Sequence, residues 1–163
     1  FPRSGIYVWK LTDGPASETS HVIPELVGGD INDKGTVVGY WNGKGFFKDS
    51  ITNPVVLPDF GGEASWANAI NNHGQIVGWA QTPGGDPIKN FVGIEGLTPE
   101  LLMRPIYQHA CLWENNNICD LNNLVPEGSG WELVVATGIN DQGHIIGEGK
   151  FNNESAAFLL SPK

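Results

Sequence analysis

The chain has 163 residues, a length typical of one compact domain, and a formal net charge of −9 at neutral pH. Nucleic acid and anionic membrane surfaces both attract a basic face, so this charge argues against either as a partner. No apolar run approaches the roughly 18 residues needed to span a bilayer, so no membrane span is expected.

The first segment already contains strand signals. The chain begins at Phe1, without a methionine and inside a repeat unit, which we interpret as a cleaved leader or a piece of a longer polypeptide. A small-aromatic-apolar strand is predicted at residues 6–9, and a shorter apolar strand at residues 22–26.

A nine-residue phrase, I-N-[DN]-x-G-x-[IV]-[IV]-G, then occurs three times, at residues 31–39, 70–78 and 139–147. Its Asn, Asp and Gly residues tolerate the backbone angles of a tight turn, and apolar runs flank them on both sides. Each phrase therefore predicts the end of one strand, a turn, and a second strand. The glycine that ends each phrase suits the close approach of a neighbouring backbone.

Two further strands follow the first and second phrases, and one follows the third. Third strands are predicted at residues 46–48, 109–113 and 156–160, and fourth strands at residues 55–58 and 118–121. A phrase that returns at intervals of tens of residues is the signature of a repeat architecture. We therefore predict an all-β fold of antiparallel four-stranded repeat units, β-propeller-like and incomplete on its own, because propellers usually need at least four blades.

The predicted domain organisation is one β-repeat domain over residues 1–163. Its units are 1–28 (partial), 29–62, 63–128 with an insertion at 81–108, and 129–163 (partial).

The insertion is the candidate binding region, because insertions in repeat proteins form loops on one face. It includes one short helical signal at residues 98–103, with Thr98 as the N-cap. Two tryptophans follow the glycines of the second strands. They are candidates for side chains at the rim of the fold that stack on a sugar or a partner, and packing between units explains them as well. The candidate binding residues are Trp41, Trp79, Asp86, Phe91, Arg104 and Tyr107.

Metal, cofactor and catalytic residues are not predicted. The four histidines occupy different places in the repeat, so they cannot form a ring of equivalent ligands. The stretch 30–35 resembles a calcium loop, but Lys34 fills its fifth position, where an oxygen ligand is needed. Cys111 and Cys119 lie on one hairpin around Asn115, at positions that do not suit a disulfide, so both are predicted to be free and buried.

The phrase, followed by a strand that begins His109-Ala110 and has Cys111 in the aromatic position, resembles the HAF family of bacterial extracellular repeats. The resemblance covers nearly the whole chain except the insertion. It implies a propeller-like β-repeat in a secreted or cell-surface setting, and it carries over no catalytic residue.

Two functions remain open. The first is a non-catalytic interaction module that presents loops to a protein or glycan partner, in a homo-oligomer or as part of a longer parent chain. The alternative is a carbohydrate-active hydrolase or lyase that uses acidic residues near the insertion, such as Asp86, Glu95 and Glu100.

Overall fold

The computed structural model describes residues 9–10, 17–18, 26–49, 53–83 and 107–162. These residues form thirteen strands and one 3-10 turn, and all paired strands are antiparallel. The all-β prediction is therefore confirmed. The helical signal at 98–103 lies outside the described residues.

The strands are β1 Trp9–Lys10, β2 Ser17–Glu18, β3 Leu26–Ile31, β4 Val37–Trp41, β5 Lys44–Lys48, β6 Val55–Val56, β7 Ser65–Ile70, β8 Ile76–Thr82, β9 Tyr107–Glu114, β10 Asn117–Asp120, β11 Trp131–Ile139, β12 Ile145–Phe151 and β13 Glu154–Leu160. The 3-10 turn covers Leu121–Leu124.

The strands form three successive meanders and one small hairpin. The hairpin is β1-β2, the first sheet is β3-β4-β5-β6, the second is β7-β8-β9-β10, and the third is β11-β12-β13. Each repeated phrase ends a first strand, makes the turn, and starts a second strand, as predicted. The described strands form no closed ring, which agrees with the predicted incompleteness.

One predicted strand boundary is wrong. The segment 22–26 was expected to be a fourth strand, but Leu26 begins β3, where it pairs with Trp41 and is buried. The partner of β1 is instead Ser17–Glu18. The apolar character of Leu26 reflects its place in the core of the first sheet, and residues 22–25 lie outside the described part of the chain.

Each sheet has two faces, which we name from the two apolar residues that follow the turn. The near face carries the first of them (Val37, Ile76, Ile145), and the far face carries the second (Val38, Val77, Ile146). Val38 and Ile76 belong to one buried cluster, and Val77 and Ile145 to another. The far face of each sheet therefore packs on the near face of the next.

The glycine that ends each phrase is required by a bulge in the first strand. The register shifts between Gly28 and Asp30 in β3, and the equivalent shift occurs in β7 and β11. A Cβ on Gly39, Gly78 or Gly147 would lie 2.0, 1.9 or 2.1 Å from a carbonyl oxygen of the first strand. The predicted close backbone approach is confirmed.

Candidate functional site

The three turns share one internal hydrogen-bond pattern. The side-chain Oδ1 of Asn71 accepts from the backbone N–H groups of His73 and Gln75, both at 3.0 Å. Asn32 and Asn140 do the same in their own turns, at 2.9–3.1 Å. The phrase asparagine thus replaces missing backbone partners, as turn chemistry requires.

The same asparagines connect one turn to the next. Asn32 Nδ2 donates to the carbonyl of Asn71 at 3.2 Å, and Asn71 Nδ2 donates to the carbonyl of Asn140 at 3.0 Å. We call this row, with the parallel row formed by the next residue of each phrase, the turn ladder. The three turns therefore lie side by side at one end of the sheets, which we call the turn end.

The second row of the turn ladder alternates acid and amide. The backbone N–H of Asp33 donates to Asn72 Oδ1 at 2.9 Å, and the backbone N–H of Asn72 donates to Asp141 Oδ1 at 2.8 Å. Asn72 Nδ2 also donates to both carboxylates, at 2.7 and 3.0 Å. These bonds from Asn72 lower the pKa of Asp141 below its usual value.

A cleft of about 340 Å³ lies beside the turn ladder, between the first and second sheets. Its inner walls are mainly apolar, and its mouth carries charged and amide side chains. The apolar lining consists of Phe47, Leu57, Ile70, Ile76 and Trp113, and the polar lining includes Asn32, Lys34, Thr36, Asp49, Glu114, Asn115 and Asn116.

Trp113 is a fixed wall of this cleft. It is 1% exposed, and its Nε1 donates to the carbonyl of Pro58 at 2.7 Å. The two acidic side chains at the mouth are also engaged: Asp49 accepts from Thr36 Oγ1 at 3.0 Å and Glu114 accepts from Gln75 Nε2 at 2.9 Å. The site therefore offers a shaped apolar space with a polar margin.

A second polar group lies on β9 and β10. His109 Nδ1 lies 2.5 Å from Asp120 Oδ2, and Asp120 also accepts from the backbone and side chain of Asn122. The bond to Asp120 raises the pKa of His109 even though burial opposes this. Burial alone would raise the pKa of Asp120, but its bonds from His109 and Asn122 outweigh burial and lower it.

Cys111, the cysteine opposite Asp120 in the sheet, is not activated by this histidine–carboxylate pair. Cys111 pairs across the sheet with Asp120, but burial raises the pKa of its thiol well above the usual value. A nucleophilic cysteine must instead be available as a thiolate. Asn122 also exchanges two hydrogen bonds with the backbone of Leu133, at 2.8 and 2.9 Å. The group therefore serves to tie the second sheet to the third.

The predicted binding residues do not form one site among the described residues. Trp41 pairs with Leu26 and Lys44 in the first sheet, whereas Trp79 pairs with Trp66 and Ala110 in the second. Tyr107 begins β9, with its backbone opposite Thr82. Asp86, Phe91 and Arg104 lie outside the described residues.

Sequence reasoning missed the cleft itself. The two parts of its lining lie on different sheets, with Phe47 in β5 and Trp113 in β9. Only the stacking of those sheets brings them together, and no local sequence pattern reports that stacking.

The described residues contain no group of three or more His, Cys, Asp or Glu side chains that could hold a metal ion. They also contain no helix with the length and apolarity needed to cross a membrane. No protein-family model matches this chain, and no curated protein or solved structure is similar to it.

Proposed function

We propose that this protein is a non-catalytic interaction module whose cleft receives an apolar side chain of a protein partner. The observation that carries the proposal is the cleft of about 340 Å³ at the turn end, with apolar walls and a charged and amide-rich mouth. Buried anchor side chains in a pocket, surrounded by polar contacts, provide most of the binding energy of many protein interfaces.

The rigidity of the surroundings supports this proposal. The walls come from two packed sheets, and the turn ladder holds neighbouring turns together at the mouth. A preformed pocket loses little conformational entropy when a partner binds. This favours a recognition site that needs no rearrangement.

The lining favours a protein over a glycan. Sugars bind by stacking on exposed aromatic faces, but Trp113 is buried and its indole N–H is already bonded to Pro58. Phe47 is half-buried and packs on the core. An aliphatic or aromatic side chain, by contrast, gains free energy simply by leaving water, at roughly 25 cal/mol per Å² of apolar surface.

The alternative of a carbohydrate-active hydrolase or lyase remains a proposal without a site among the described residues. Asp86, Glu95 and Glu100, on which it depended, lie outside them. The secreted or surface setting and the membership of the HAF family also remain proposals, which rest on the residues of the repeated phrase.

The cleft can be tested with small probes followed by two-dimensional amide NMR. We expect the N-acetyl amides of tryptophan and leucine to shift the signals of residues 34–36, 47–49 and 113–116, and a panel of mono- and disaccharides to leave them unchanged. A Thr36→Trp variant should block the cleft mouth, while His144→Trp changes the equivalent position of the third phrase, outside the cleft, and is the matched control. Saccharide binding at these residues, or probe binding that survives Thr36→Trp, would contradict the proposal.

A further inference from the structure

The far face of the third sheet is apolar and exposed at the turn end. Ile146 is 53% exposed and its cross-strand partner Leu159 is 62% exposed. At the position of Ile146, the first and second sheets have Val38 and Val77, and both are 0% exposed because the next sheet covers them. The third sheet thus presents the surface that the other two bury.

The near face of the first sheet is exposed at its turn end. Ile31 is 60% exposed, whereas Ile70, the same residue of the second phrase, is 6% exposed against the first sheet. Ile139, the same residue of the third phrase, packs on the second core. The two ends of the stack therefore expose the two halves of one type of interface.

The turn ladder stops at the same two ends. Asn140 Nδ2 reaches only His144 Nδ1 of its own turn, whereas its counterparts each donate to the next turn. The backbone N–H of Asp141 has no acceptor within the described ranges, although its counterparts in Asp33 and Asn72 both have one. At the other end of the ladder, Asp33 Oδ1 is the atom equivalent to Asn72 Oδ1 and Asp141 Oδ1, which each accept a backbone N–H from the neighbouring turn. Asp33 Oδ1 accepts no such bond from a described residue.

We propose that a second copy of this chain docks on the far face of the third sheet through the near face of its own first sheet. The contact repeats the turn-end part of the two interfaces within the chain: Ile146 and Leu159 meet Ile31 of the second copy, and Asn140 donates to the second copy's Asn32 carbonyl. Because the pairing is head to tail, the third sheet of each copy covers the first sheet of the other, so both exposed faces of both copies are covered in a dimer.

The contact is confined to the turn end. On the near face of the first sheet, Leu26 and Phe46 are already buried, which leaves the region around Ile31 to be covered. On the far face of the third sheet, Glu148 and Lys150 follow Ile146 and make the remote half polar. The free apolar areas of both faces thus lie beside the turn ladder.

The junction also contains an unfavourable pair. Within the chain, Asn72 separates Asp33 from Asp141, but at the junction Asp141 faces Asp33 of the second copy directly. Like charges in contact weaken association. Asp141→Asn would remove this like-charge contact, so we expect it to lower the dissociation constant several-fold.

The test is sedimentation velocity over a wide concentration range. We expect a monomer–dimer equilibrium that Ile146→Lys and Ile31→Lys each abolish, and that Leu124→Lys leaves intact, because Leu124 is 59% exposed but lies on neither end face. Circular dichroism checks that each variant is folded. An equimolar mixture of the Ile31→Lys and Ile146→Lys variants should form heterodimers again, because one of the two junctions then contains only native residues.

Several outcomes overturn the proposal. They are a monomer at every concentration, open-ended oligomers, a dimer insensitive to Ile31→Lys, and a mixture that stays monomeric. An Asp141→Asn variant whose dissociation constant does not fall overturns the turn-to-turn register. The proposal does not rest on the function of the cleft, and these measurements do not involve its probes.

Discussion

Asn71 makes hydrogen bonds both within its own turn and to Asn140 of the next turn. Its Oδ1 organises its own turn, and its Nδ2 donates both to the carbonyl of Asn140 at 3.0 Å and to Gln75 Oε1 at 2.7 Å. It is 3% exposed, whereas Asn140 is exposed. Asn71 and Asn140 occupy the same position of the repeat, but we expect Asn71 to contribute more to the stability of the fold.

We predict that Asn71→Asp destabilises the protein far more than Asn140→Asp. Aspartate keeps the acceptor that organises the turn but loses the donors, and at position 71 it also buries a charge. A buried group left without its partner costs about 1–3 kcal/mol, and more when it is charged. Urea unfolding at pH 7 should show a loss of about 3 kcal/mol for Asn71→Asp and under about 1 kcal/mol for Asn140→Asp. Equal losses would mean that the link between turns adds nothing.

A second prediction concerns the glycine that ends the phrase. A Cβ at Gly78 would lie 1.9 Å from the carbonyl oxygen of Trp66, so Gly78→Ala must displace backbone. Gly74→Ala is the control: its Cβ meets nothing within 4 Å, and only its φ of +83° is unfavourable. We expect a loss of about 1–2 kcal/mol for Gly74→Ala and a clearly larger one for Gly78→Ala in thermal unfolding. A reversed order would refute the role of the bulge.

The pair His109–Asp120 predicts a pH dependence of stability. The raised pKa of His109 gives a stabilisation that is complete below its ordinary value of 6.5 and is lost as pH rises through the folded-state pKa. The lowered pKa of Asp120 gives a stabilisation that is complete above 3.8 and is lost as pH falls through its folded-state value. The pair should therefore stabilise most between about pH 4 and 6.5.

His109→Gln isolates this effect. Because the pair is partly exposed, we expect the free energy of unfolding of the wild type to exceed that of the variant by only about 1 kcal/mol at pH 5.5, with the gap narrowing as the pH rises toward 8.5. Urea midpoints across this range provide the measurement. A gap that does not change with pH would show that the pair contributes packing alone.

The two cysteines should differ in reactivity. Both are free, but Cys111 is buried and Cys119 is exposed, which confirms the predicted free thiols and corrects the predicted burial of Cys119. Hairpin alternation is the reason, since Cys119 pairs with Leu112 and Cys111 with Asp120. A thiol reagent at pH 8 should label one thiol per native chain rapidly and two after unfolding. Cys119→Ser should remove the rapid phase and Cys111→Ser should keep it.

Sequence reasoning predicted the elements well because the signals are local. Asn-x-x-Gly turns between apolar runs determine hairpins, and the returning phrase determined the order of strands within each sheet. Leu26 was assigned to the wrong strand because an apolar residue next to a loop fits the end of one unit as well as the start of the next. The cleft and the turn ladder could not be predicted, since both depend on how the sheets stack.

The pairing of Thr82 with Tyr107 has a consequence for engineering. These residues lie opposite each other at the end of β8 and β9 that is remote from the turn ladder, and strand pairing continues from them to Ile76 and Trp113. We expect this strand pairing to persist when the length of the chain between them is changed, because β8 and β9 make the pairing themselves. If that holds, a foreign binding loop or a reporter sequence could be placed between Thr82 and Tyr107, and the repeat would become a display scaffold.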